Sequence, residues 1–200
     1  MMLAQQSQIP ASALPVDVFK EHLRLGTGFA DDGAEDGLLE TYLRAALTAV
    51  EAWTGKVLLT REYHWTINRW RDAAAQALPV APVEAIGAIR FIDRLGWEEA
   101  VPSARYRLQV DTHRPLICAT SALLPEPPTG GDIRIEFTAG FGPTWEDVPS
   151  DLGQAVVVLA AHYYEYRHDM RVGEGVIPYT VSALIERWRT VRILGGGRGR

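Results

Sequence analysis

The chain has 200 residues, 20 Lys+Arg against 25 Asp+Glu, a formal charge of −5, 47% hydrophobic and 22% charged residues, and one cysteine. That balance excludes intrinsic disorder of the whole, and a chain this long buries roughly 70% of its unfolded surface in a core that needs no staples. Cys118 alone excludes an internal disulfide and a cysteine-rich zinc site, and the longest strictly apolar run, Ala155 to Ala161, falls far short of the ~18 residues of a membrane span.

Met1 to Leu14 carries no basic residue ahead of its apolar stretch, so it reads as an N-terminal arm and not as a secretion signal. Pro15 then presets a helical first turn, and Val16, Phe19 and Leu23 recur at helical spacing until Gly26-Thr27-Gly28. A loop with Asp31, Asp32, Glu35 and Asp36 leads into a second helix, whose stripe is Leu38, Leu39, Tyr42, Leu43, Ala46, Val50 and Trp53. Asp36 is placed to cap that helix, and Gly55 to end it in the left-handed conformation.

From Lys56 the period falls to two. Tyr63, Trp65 and Ile67 alternate with His64, Thr66 and Asn68, and further strands are expected over 86–93, 106–110, 116–119 and 132–138. Nine of the twelve prolines fall between Pro79 and Pro149, marking a turn-rich antiparallel sheet set between helices.

Ser150 is expected to cap a third helix, with Asp151 in its first turn. That helix is apolar all round: Leu152, Ala155, Val156, Leu159, Ala160 and Tyr163 form one side, Val157, Val158, Ala161 and Tyr164 the other. Such a helix is either central or sealed by another subunit, so Val157, Val158, Ala161 and Tyr164 are candidate inter-subunit residues. A last helix follows Pro178, with Val181, Leu184, Ile185 and Trp188 as its stripe.

The expected fold is therefore α+β, a small bundle of about four helices with an inserted antiparallel sheet. Its expected divisions are an arm (1–14), N-terminal helices (15–55), a β-rich insertion (56–149), C-terminal helices (150–193) and a flexible Gly/Arg tail (194–200).

The charge divides unevenly. Residues 186–200 hold Arg187, Arg189, Arg192, Arg198 and Arg200 against Glu186, a net of +4, which leaves −9 on residues 1–185. An acidic body with a basic end suits docking on an acidic protein partner better than binding DNA, whose phosphates the body repels.

Chemistry-bearing residues are sparse. Cys118 lies in the apolar run Leu116-Ile117-Cys118-Ala119 with no basic neighbour, and reads as a structural thiol. His162, Glu165 and His168 share a helix, but six residues between the histidines turn them about 600° apart, so they do not converge on a metal. His22, His64 and His113 are scattered, the Gly26-Thr27-Gly28 segment follows a helix and not a strand, and Asp31-Asp32-Gly33 lacks a calcium loop's alternating ligands. No catalytic, metal or cofactor site is expected, and none of these residues supports an enzyme.

The order of several segments resembles a known family, the head–tail connector (adaptor or head-completion) proteins of tailed bacteriophages and of gene transfer agents. The segments are Phe19 to Leu23 with the acidic loop through Asp36 to Leu43, Val50-Glu51-Ala52-Trp53-Thr54-Gly55-Lys56, Thr138-Ala139-Gly140-Phe141-Gly142, Val148 to Leu152, His162 to Arg167, and Ile177-Pro178 leading to Ala183-Leu184-Ile185. The run Pro125-Glu126-Pro127-Pro128 and the Gly/Arg tail match no motif of that family.

The resemblance implies a non-enzymatic virion structural protein at the head–tail junction, present in the host cytoplasm during assembly. It implies a ring of about twelve copies below the portal protein, closed by heterologous contacts, with a tail-side stopper protein beyond it and DNA passing without sequence-specific binding. A stopper or tail terminator is the alternative within the neck. On this reading Arg187, Trp188, Arg189, Arg192, Ile193, Arg198 and Arg200 dock on the portal, with Trp188 and Ile193 as apolar anchors. Asp31, Asp32, Glu35 and Asp36 face the channel or a neighbouring subunit.

Overall fold

The apolar stripe from Leu39 to Val50 winds into one long helix because nothing in it breaks the 3.6-residue repeat and Gly55 takes φ 69°, the left-handed stop expected of it. The computed structural model describes residues 2–24, 35–166 and 177–189. Among them are helices α1 (Val16–His22), α2 (Asp36–Thr54), α3 (Ser150–Glu165) and α4 (Tyr179–Ile185). The strands are β1 (Met2–Gln5), β2 (Arg61–Ile67), β3 (Ala75–Ala77), β4 (Val83–Ile92), β5 (Glu98–Ala100), β6 (Tyr106–Gln109), β7 (Leu116–Ala119) and β8 (Asp132–Ala139). The fold is mixed α+β.

Two expectations about the strands change. The strands form two sheets, not one: a five-stranded sheet ordered β1-β2-β8-β4-β5 and a three-stranded sheet ordered β3-β7-β6, with every pairing antiparallel. Nor is the N-terminus only an arm, for Met2 to Gln5 pair with Thr66 to Tyr63 as an edge strand.

There are likewise two cores. The helical core gathers Phe19, Leu39, Leu43, Leu47, Val50, Leu152, Ala155, Val156, Leu159 and Ile185, with α3 packed against α1, α2 and α4. The sheet core gathers Trp65, Ile67, Ile89, Phe91, Ile117, Ile133, Ile135 and Phe137. Val57 belongs to the sheet core while Leu58 and Leu59 belong to the helical one, so this short extended run is the seam between them. The seam is tied on both sides. The Val57 and Phe141 N–H groups donate to Ala81 and Leu58 carbonyls at 2.8 and 3.2 Å, and Thr60 N–H donates to the Gly142 carbonyl at 2.8 Å. Gly140 sits at φ 147°, where a Cβ would lie 2.4 Å from Thr60 Cα. Only glycine lets the two backbones approach so closely.

The expected caps act differently. Asp36 is the first helical residue of α2 and makes no capping bond; its carboxylate pairs instead with Lys20 of α1 at 2.7 Å. Ser150 opens α3 without capping it, since the flanking position is Pro149.

Candidate docking surfaces

The last described segment is held down by one acidic residue. Asp151, in the first turn of α3, accepts the Trp188 indole N–H at 2.7 Å and pairs with Arg187 Nε at 2.6 Å through the same oxygen, while its other oxygen takes the Leu152 N–H at 3.0 Å. Burial alone would raise the Asp151 carboxyl. The bonds from Trp188, Arg187 and Leu152 and the Arg187 charge outweigh it, and the group lies below the ordinary carboxylate value. Arg187 also lies over the Trp188 ring at 4.8 Å, Phe141 meets that ring edge-on at 5.5 Å, and His113 stacks on it at 6.1 Å.

Trp188 is therefore buried in its own chain and is not free to anchor on a partner. It roots the C-terminal segment at the start of α3. Arg187 and Arg189 are exposed, but Arg187 is committed to Asp151, and Arg189 lies 3.6 Å from Glu186. Arg192, Ile193, Arg198, Arg200 and the expected tail over 194–200 lie outside the described residues.

The expected acidic surface is divided in the same way. Asp31 and Asp32 lie outside the described residues, Glu35 is exposed, and Asp36 is tied to Lys20. As for the all-round apolar helix, α3 is central within its own chain. Val157 and Ala161 are buried by the chain itself, Val158 is half-buried, and half-buried Tyr164 meets Tyr42 of α2 edge-on at 5.9 Å. Its apolarity requires no neighbouring subunit.

The chemistry-bearing residues stay dispersed. Cys118 is a buried free thiol whose Sγ lies 3.6 Å from Gln109 Oε1. His162 packs on the Tyr166 ring at 4.6 Å, and His168 is outside the described residues. Among the described residues no three His, Cys, Asp or Glu side chains are grouped to hold a metal ion, and no helix is long and apolar enough to cross a membrane.

Two features escaped the sequence reading. Lys56 is 1% exposed and its ammonium has no hydrogen-bond partner among the described residues. Burial pulls it below the usual lysine value, and the Asp111 charge only partly offsets this. A lysine directly after a C-capping glycine carries no local sign of burial. The second is the β4–β5 hairpin tip, where Leu95 and Trp97 are 84% and 76% exposed. Two large apolar residues flanking a turn glycine, Gly96, were the available signal.

No family model matches the chain, and no curated protein matches it. Solved structures do. A chain from the neck of an empty gene transfer agent particle, computed with C6 symmetry, is 52% identical with a TM-score of 0.89. A chain from the virion of a native gene transfer agent particle is 52% identical with a TM-score of 0.87, and one from a native neck computed with C12 symmetry is 47% identical with a TM-score of 0.84. Each match covers 98% of this chain and 99% of the other. With identities of this size over nearly its whole length, the chain belongs to the family of gene transfer agent neck proteins.

Proposed function

We propose that the chain is the adaptor subunit of such a neck, a non-enzymatic structural protein that forms a ring of about twelve copies below the portal, joins capsid to tail and lines part of the DNA channel. The observation that carries this reading is the whole-length likeness, at 47–52% identity, to chains of necks computed with C6 and C12 symmetry. The acidic body fits a conduit, because a net −9 over residues 1–185 repels phosphates and lets DNA slide without sticking. Assembly would begin in the host cytoplasm and end at the head–tail junction.

Within this reading the C-terminal arginines remain the portal-docking element, with Trp188 as the root of the segment and no longer its anchor. Co-sedimentation with portal rings tests it: deleting residues 194–200 lowers the bound fraction and makes the binding that remains less sensitive to salt. Unchanged binding by the deletion removes the tail from the interface.

A further inference from the structure

The β4–β5 hairpin tip is built to be held still while exposing its apolar side chains. Asp93 Oδ1 accepts the N–H groups of Leu95 and Trp97 at 2.8 and 2.9 Å, Asp93 N–H donates to the Trp97 carbonyl at 3.0 Å, and Gly96 N–H donates to the Asp93 carbonyl at 3.1 Å. Gly96 takes φ 86°, and the Arg94 guanidinium lies against Gly130 of the neighbouring turn. A mobile loop would lose entropy on docking; this one has already lost it. Rigid exposed tryptophans are the residue type that dominates protein interfaces.

The tip continues into β5, an edge strand whose three residues are all exposed. Glu98 is held by Arg134, while Glu99 forms no ion pair among the described residues. Over residues 93–99, Asp93, Glu98 and Glu99 stand against Arg94 alone, a net of −2. The other sheet also has an open edge. That edge is β6, which presents exposed Arg107, with exposed Arg105 just before the strand and exposed Val110 just after it; residues 102–110 carry a net of +2, and Asp111 follows them. One copy thus carries an acidic edge bearing two apolar side chains and, elsewhere, a basic edge bearing an exposed valine. Different patches that complement each other make a head-to-tail contact, the type that closes rings.

We infer that the β4–β5 tip of one copy, through Leu95, Trp97 and Glu99, docks on the β6 edge of the next copy, at Arg105, Arg107 and Val110. This rests on ring assembly in the neck. It adds the patches that meet.

Charge exchange in assembled particles tests the contact. Glu99→Arg and Arg107→Glu each lower the amount of the protein per particle by about tenfold, because the like-charge penalty repeats at every interface of a closed ring. The double variant restores it. Oxidising particles that carry Glu99→Cys with Arg107→Cys gives a ladder of linked copies on a non-reducing gel, and neither single variant does. Trp97→Ala keeps its melting temperature, as an exposed residue should, and loses neck incorporation. A double charge variant as defective as the singles, or a cysteine pair that assembles without linking, overturns the inference. A tip that binds a different neck protein shows itself as a defective Trp97→Ala beside a normal Arg107→Glu, and overturns it too. Wild-type protein bound directly to the portal in control particles keeps the adaptor reading standing in each case.

Discussion

Glu51 in the last turn of α2 and Arg61 at the start of β2 form a buried ion pair across the seam between the two cores. Glu51 also accepts the Leu58 N–H at 2.7 Å, and Arg61 reaches Gln5 Oε1 of β1 at 3.0 Å and the Leu59 carbonyl at 3.2 Å. One pair therefore joins the long helix, the seam, the five-stranded sheet and the N-terminal strand. It acts less as a source of stability than as a register pin, since two buried charges lose much of their attraction to desolvation.

Breaking that pair on one side is expected to be costly. Arg61→Ala leaves a carboxylate buried without its counter-charge and lowers stability by about 3–5 kcal/mol, read by urea unfolding at neutral pH. Burial raises the Glu51 carboxyl despite the opposing Arg61 charge and bonds. The folded state thus holds this proton more tightly than the unfolded one. Its contribution is full below the ordinary value of 4.5 and falls as pH rises through the native one. Arg61→Ala should steepen that fall; an unchanged pH slope would separate the two residues.

Asp151 has the opposite sign. Its lowered carboxyl adds stability that is complete above the ordinary value of 3.8 and is lost as pH falls through the native one. Asp151→Asn should cost about 1.5–3 kcal/mol near neutrality, because charge-assisted bonds from Trp188 and Arg187 are weakened. It should also flatten the acid limb. Urea unfolding of both proteins at pH 7 and at pH 4 reads the two effects.

Lys56 yields a gain. Lys56→Met keeps the length of the side chain and removes a buried ammonium, so stability rises by about 1–4 kcal/mol. The native amine lies below the ordinary lysine value of 10.5, so wild-type stability should climb as pH rises through the native value toward 10.5, and the variant should lose that climb. Thermal melts between pH 7 and 10 decide the point; a lower melting temperature for the variant at pH 7 would mean that the ammonium is stabilised.

Gly140→Ala is expected to loosen the seam. The backbone conformation alone costs an alanine about 1–3 kcal/mol, and its Cβ meets Thr60 backbone at 2.4 Å. Hydrogen exchange should show faster opening at the Thr60 and Phe141 amides, while amides deep in α2 stay protected.

Much of this fold was legible. The alternation of Tyr63, Trp65 and Ile67 gave β2, the periodic stripe gave α2, and Gly55 marked its end because a left-handed stop is a local requirement. The strands β1, β3 and β5 were not legible. Met2-Leu3-Ala4-Gln5, Ala75-Gln76-Ala77 and Glu98-Glu99-Ala100 carry no alternation, and only their partners make them strands. Asp36 was misassigned as a cap because its partner, Lys20, lies on another helix. Trp188 read as a free anchor for the same reason: Asp151, His113 and Phe141 surround it from distant parts of the chain.

The most direct measurement is electron microscopy of purified portal rings with and without this protein. An adaptor adds a second ring of about twelve copies coaxial with the portal, even if the protein is a monomer alone. Bare portals, with the protein bound instead to a tail-side component, would contradict the adaptor assignment.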